Sequence, residues 1–377
     1  MLEKIKFLPL EKKVGQLFFI GLPSAEIDTQ TQELLEEIAP GGVCLFARNI
    51  RSLEQTRKLL EKICEILSVK PILSLDQEGG LVDRLRRVFT PMPSALSIRQ
   101  NGNLATARRL GEITAEVLSI LGFNMNFAPV LDILDETRES LSNGLYSRSF
   151  GRSAGEVFGY SSAYLSGLQS KGILGCLKHF PGLGASKIDS HDELPLIRLT
   201  YEELARKDIS PYVEFFRRSQ IHGNNDEKIH AVMVGHGAYL ELEPERMKIP
   251  ASLSKTIISN LLREKLNYKG LVLTDDLEMG AILKHYSIED AVKLAFEAGQ
   301  DMFLICSNAD SVVKAYQSIL SAFRSNELSE RRLEESLERI AQVKTALRLP
   351  TEFDKTQLLE LCEEIAKLNE QITRNNK

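Results

Sequence analysis

The chain has 377 residues, 43% of them hydrophobic and 26% charged, a balance that suits a globular protein with one large domain or two ordinary ones and a core that needs no disulfides. A net charge of −5 and the lack of any Lys/Arg-rich block argue against a nucleic-acid surface. The five cysteines are scattered, odd in number and without a C-x-x-C; four lie in apolar segments and are expected to be buried free thiols, as suits a reducing compartment.

At the N-terminus charges are interleaved with apolar residues, and the apolar run 14–22 is too short to span a bilayer and is broken by Gly15 and Gln16. No membrane association is expected, and the expected location is the cytoplasm. From there eight short apolar runs recur, at 15–21, 42–47, 71–75, 123–130, 173–177, 231–234, 271–273 and 302–305. Most lack polar/apolar alternation, as buried parallel strands do. Helical patterns lie between them, at 28–39, 52–67, 102–121, 154–170, 201–219, 254–266, 287–299 and 309–324, with cap residues such as Ser52, Ser254 and Ser287, and with Glu203 three residues after Thr200.

Strand and helix alternating eight times predicts an α/β protein with a (β/α)₈ TIM barrel over residues 1–327. A doubly wound open sheet is the alternative, but no G-x-G-x-x-G follows the first strand. Residues 328–377 carry apolar residues at helical spacing (Leu333, Leu337, Ile340, Val343 and Leu347; then Leu358, Leu359, Leu361, Ile365 and Leu368), with Pro350 between. They are expected to form two charged helices packed on the barrel. The polar segment 222–228 reads as a surface loop.

In such a barrel the polar residues at the C-terminal strand ends line the active site. Four runs end in polar or charged groups: Asp76-Gln77-Glu78, Lys178-His179, Gly235-His236-Gly237 and Thr274-Asp275-Asp276. Asp275 closes a dry run that would hold its backbone rigidly, which suits a nucleophile; a structural Asp is the alternative, and Asp276 could cap the next helix. After Lys178-His179 a Gly-rich loop leads to Asp189-Ser190-His191. A carboxylate beside an imidazole raises its pKa and fixes its tautomer, so Asp189 and His191 read as an acid/base pair on a movable loop. Arg84 and Arg148 are candidates for holding a polyhydroxylated substrate through their guanidinium forks.

At these residues the sequence resembles glycoside hydrolase family 3, specifically its bacterial β-N-acetylglucosaminidases. The resemblance is carried, in order, by 10–18 (LEKKVGQLF), 76–84 (DQEGGLVDR), 126–132 (NFAPVLD), 148–151 (RSFG), 178–182 (KHFPG), 189–195 (DSHDELP) and 274–280 (TDDLEMG). It implies a retaining glycosidase with Asp275 as nucleophile, and His191 supported by Asp189 as acid/base in place of a carboxylate from a second domain. It further implies that Asp76, Arg84, Arg148, Lys178 and His179 bind a terminal β-linked N-acetylglucosamine, as in cell-wall muropeptides during peptidoglycan recycling, with no cofactor and no metal. Two positions depart from the family pattern: Leu183 stands where a second His is usual, and Arg152-Ser153 follows 148–151 where Asp-Pro is common.

An uncharged imidazole would not repel phosphate, so phosphorolysis is an alternative to hydrolysis. A metal-dependent hydrolase using His179, His191, Asp192, Glu193 and His236 and a non-catalytic sugar-binding barrel are weaker readings; no H-x-H or H-E-x-x-H is present.

Overall fold

Short runs of Val, Ile, Leu and Phe with no polar alternation can be satisfied only where both faces of a strand are covered. The computed structural model, which describes residues 1–101, 103–141, 143–222 and 227–375, places them that way. Eight parallel strands form the frame: β1 (Phe18–Gly21), β2 (Gly42–Leu45), β3 (Ile72–Leu75), β4 (Met125–Asn126), β5 (Leu174–Phe180), β6 (Ala231–Val234), β7 (Leu271–Asp276) and β8 (Met302–Ile305). Their order, β3-β2-β1-β8-β7-β6-β5-β4, is a sheet rolled nearly shut. The seam is bridged by the Asn124 and Phe127 amides, which donate to the Leu73 and Leu75 carbonyls at 3.0 Å each. This is the predicted TIM barrel.

The apolar runs located the strands, but the ends differ. The run at 123–130 yields only a two-residue strand, while β5 and β7 continue past their apolar stretches through Lys178-His179 and Thr274-Asp275-Asp276. Both extensions contain an irregularity. Between Leu177 and Phe180, β5 takes three steps against two on β6, and between Leu273 and Asp276, β7 does the same against β8. One extra residue re-aims the side chains around it, and here those side chains are the charged ones.

Most helical patterns form close to where they were expected, including Ala154–Ser170 and Ala309–Arg324. The pattern at 201–219 divides into Tyr201–Arg206 and Ser210–His222, and that at 254–266 forms wide turns over Thr256–Lys265. Ser52, Ser153 and Ser287 each accept a backbone amide as caps, and Thr200 and Glu203 form a reciprocal capping box. The expected loop at 222–228 begins with His222 ending a helix, and its residues 223–226 lie outside the described ones. Three cysteines, Cys44, Cys176 and Cys306, are buried, but Cys64 is exposed: its helix, Leu53–Ile66, turns Leu59, Leu60 and Ile63 inward instead.

Beyond the barrel, helices Glu330–Ala346 and Lys355–Asn375 flank Pro350. Of the apolar positions that predicted them, only Leu359 is exposed. The first helix is pinned under the sheet by Asp301, fully buried at the start of β8. Asp301 takes Arg263 at 2.5 Å, Arg332 at 3.2 Å, Arg339 at 3.0 Å, Ser336 at 3.0 Å and the Val272 amide at 3.0 Å. Burial works against its charge, yet the three guanidiniums hold its carboxyl below the usual carboxylate range.

Removing one partner of such a buried network leaves the others uncompensated. Asp301→Ala is therefore expected to cost about 3–5 kcal/mol of stability, measured by urea denaturation.

Candidate active site

The open rim of the barrel begins with β3. Immediately after it, Asp76 leads into a short hairpin, Gln77–Gly79 paired with Val82–Asp83. Within it the Gln77 side-chain amide donates to Asp83 at 2.7 Å, and its carbonyl oxygen accepts the Arg84 amide at 3.0 Å, which fixes Arg84 beside Asp76. The Arg84 guanidinium meets Asp76 at 3.2 Å, and its buried Nε–H has no acceptor among the described residues.

From β5, Lys178 reaches Asp76 at 2.6 Å and Glu78 at 2.5 Å. Arg148, on the loop after β4, closes the network with a two-pronged bond to Glu78 at 2.7 and 2.9 Å. Burial disfavours every charge here, but the partners outweigh it. Asp76 is held far below the usual carboxylate range by Lys178 and Arg84, and Glu78 is held at about 2 by Arg148 and Lys178. The same attractions push the Lys178 and Arg148 pKa values upward. All four groups therefore stay ionised at neutral pH.

Next to this network, His179 is bound through Nδ1 to Asp132 at 2.7 Å, and Arg148 lies 3.4 Å from its Nε2. Asp132, fully buried, also accepts the Leu183 amide at 2.5 Å. Leu183 is itself buried against β-carbon-free backbone: a Cβ at Gly235 or Gly237 would come within 3.0 or 2.9 Å of its side chain. An apolar residue thus fills the position where the family pattern has a His.

Across the rim stands Asp275. Its Oδ1 accepts the Asp276 amide at 2.9 Å. Burial opposes its charge, but the His179 side chain, that amide and the Lys178 ammonium hold the carboxyl below its ordinary value. Asp276 is the contrast. Burial, with Glu278 and Asp275 nearby, raises it to about 7, although it accepts the Glu278 amide at 3.0 Å. Two adjacent carboxyl groups are thereby set to different protonation states, Asp275 ionised and Asp276 half-protonated near neutrality.

Fully buried His236 braces this strand end. Its Nε2 lies 2.9 Å from the Asp276 carbonyl, which can only accept, so Nε2 carries the proton and Nδ1 accepts from the Ser252 hydroxyl at 2.7 Å. Burial lowers its pKa, consistent with the neutral form.

The loop after β5 brings the last pair. His191 Nδ1 lies 2.7 Å from Asp189 Oδ1, which also accepts the His191 backbone amide at 2.9 Å. That hydrogen bond raises the His191 pKa against partial burial, and the charge of Asp275 adds to the rise, so the imidazole is within the field of the opposite strand end. Asp189 is correspondingly lowered, chiefly by His191. The side chain is largely exposed, at 68%.

The structure therefore brings together Asp76, Arg84, Arg148, Lys178, His179 and Asp275, with Asp189 and His191 on the loop beside them. Sequence reasoning gave Glu78 no role beyond its place at a polar strand end and passed over Asp132, although both stand within stretches it had marked, 76–84 and 126–132. A carboxylate next to a strand end carrying a Lys or His was the available signal. The residues of a metal-binding reading do not converge: Glu193 bonds His285 at 2.8 Å while His236 is committed as above, and among the described residues no three His, Cys, Asp or Glu side chains gather to hold an ion. Among these residues, too, no helix is long and apolar enough to cross a membrane.

The profile of the glycosyl hydrolase family 3 N terminal domain matches residues 9–343. The β-hexosaminidase of Psychromonas ingrahamii is 31% identical over 301 residues, 78% of this chain and 83% of that protein. That of Nitrosomonas eutropha is 32% identical over 312 residues, 80% and 85% of the respective chains. Among solved structures, a glycoside hydrolase family 3 β-N-acetylglucosaminidase from a Paenibacillus species superposes with a TM-score of 0.85 at 32% identity, over 96% of this chain and 69% of that one. A family 3 member from Mycobacterium smegmatis gives 0.79 at 30% identity, over 91% and 99%. The protein is a glycosidase and belongs to glycosyl hydrolase family 3.

Proposed function

We propose that this glycosidase is a retaining β-N-acetylhexosaminidase that releases terminal, non-reducing β-linked N-acetylglucosamine, with cell-wall muropeptides as its substrates and the cytoplasm as its location. The observation that carries the mechanism is the pairing of an ionised Asp275 at a rigid strand end with an Asp189-bound imidazole that lies within its field. The sugar specificity is supported by the relatives, which are β-hexosaminidases and β-N-acetylglucosaminidases.

In the first step an Asp275 oxygen attacks the anomeric carbon while the glycosidic C–O bond breaks. His191 Nε2–H gives its proton to the departing oxygen, and Nδ1–H stays on Asp189, which stabilises the pair as the charge moves. In the second step water attacks the same carbon, passes a proton back to Nε2, and Asp275 leaves. Most retaining glycosidases use two carboxyl groups about 5–5.5 Å apart. An Asp–His pair replaces one of them here, so that spacing is no guide.

Asp76, Arg84, Arg148, Lys178 and His179 bind the sugar hydroxyls. Among these five, Asp76 and Arg84 present most of the open surface. Lys178, 2% exposed, acts mainly by holding Asp76 ionised and in place.

Asp275→Ala is expected to lower hydrolysis of a nitrophenyl β-N-acetylglucosaminide about 10⁴-fold or more; full activity would exclude the nucleophile role. His191→Ala should cost about 10²–10⁴-fold on alkyl leaving groups and much less on nitrophenyl ones, which leave without a proton. Because Asp189 raises the His191 pKa, the intact pair keeps its acid proton to higher pH. Asp189→Asn should therefore move the alkaline limb of the kcat/KM profile toward acid, and an unmoved limb would count against the pairing.

A further inference from the structure

The two catalytic halves proposed above sit on different elements, the nucleophile on β7 and the acid/base on the loop after β5, and something must set the distance between them. The contacts that do so lie just beyond Asp275. The chain turns at Asp276, whose carbonyl accepts the Met279 amide at 3.1 Å and faces His236, and enters the single helical turn Gly280–Leu283. The first amides of any helix lack partners within it. Here those of Gly280 and Ala281 are taken by the carbonyls of His191 and Ser190, at 3.0 and 3.1 Å.

The approach is too close for any side chain at 280. A Cβ there would stand 2.6 Å from both the His191 and the Asp192 carbonyl oxygens, and these are backbone atoms that cannot swing aside. Gly280 has an ordinary negative φ, so its lack of a side chain matters for space and not for conformation.

Two further contacts fasten the same segment. Leu194, at the loop's end, is buried in a small apolar cluster with Ala238, Leu240 and Ala281, separate from the main core. Glu193 between them bonds His285 Nε2 at 2.8 Å and Lys284 Nζ at 3.2 Å, both just past the helical turn. The loop's near end is held independently, by Asn143 donating to the Gly184 and Ser186 carbonyls at 3.3 and 3.1 Å.

We infer that the segment 280–285 is a docking seat for the acid/base loop, with Gly280 as a positioning residue that lets the His191 backbone rest directly on the element that follows the nucleophile. Glu193, through Lys284 and His285, is a latch on that seat. The inference rests on the proposed roles of Asp275 and His191. Exposed ion pairs are weak, so the latch shifts the docked population by at most about 5-fold, whereas a carbon atom forced between seat and loop displaces His191 outright. A displacement of about 1 Å between reacting groups costs on the order of 10²-fold in rate.

The test compares kcat/KM of Gly280→Ala, Glu193→Ala and His191→Ala on alkyl and nitrophenyl β-N-acetylglucosaminides, with hydrogen exchange of residues 186–194 and melting temperature measured on each. Gly280→Ala should lower kcat/KM, which reports the bond-breaking step, about 10²-fold on the alkyl substrate and under about 5-fold on the nitrophenyl one, while exchange in the loop rises. Glu193→Ala should raise loop exchange with a smaller loss, and wild-type loop exchange should increase with added salt where that of the variant does not. Wild-type kcat/KM on the alkyl substrate in Gly280→Ala, or equal losses on both substrates that track a lowered melting temperature, would overturn the seat. If His191→Ala itself shows no dependence on leaving group, the acid/base assignment fails instead, and the loop-exchange data then judge the docking alone.

Discussion

Four charges in alternation, Asp76, Lys178, Glu78 and Arg148, with Lys178 buried and the others partly so, are the constraint around which the rim of this barrel is arranged. Any one of them alone would be expelled or neutralised. Together they join the end of β3, the end of β5 and the loop after β4, so three separated stretches of sequence have one workable arrangement. The rim that results is polar, and groups at its edge can be held in a fixed ionisation state.

That setting explains how neighbouring residues come to differ. Asp275 lies within reach of positive and hydrogen-bonding groups and stays charged, while Asp276, one residue on, is buried beside the carboxylates of Glu278 and Asp275 and is raised to about 7. The extra residue in β7 separates the two environments. A regular strand would alternate side chains between two faces; the bulge changes which way the charged end points.

Much of this was legible in the sequence. Apolar runs without alternation located the strands because a covered parallel strand has no polar face to show. The charged strand ends stood out because charge at the end of a dry run needs a cause. Less legible were the bulges, since Lys178-His179 and Thr274-Asp275 look like ordinary strand continuations until the neighbouring register is known. The roles of Glu78 and Asp132 were hidden for another reason: their partners, Arg148 and Lys178 for one and His179 for the other, lie 47 to 100 residues away in sequence. The loop that carries His191 read as mobile from its glycines, yet it is held at both ends. Gly182 has a positive φ of 125° and so does serve a turn, but Gly184 lies against the Ile133 carbonyl and serves a close approach.

Leu183 shows how a departure from a family pattern becomes fixed. Its side chain occupies the space left by the missing Cβ atoms of Gly235 and Gly237, and its amide is spent on Asp132, which in turn orients His179. The three positions form one volume, so an exchange at any of them is felt by the others. Sequence drift in this corner of the molecule should be concerted: a bulkier residue on β6 and a smaller one at 183 arriving together, with neither tolerated first.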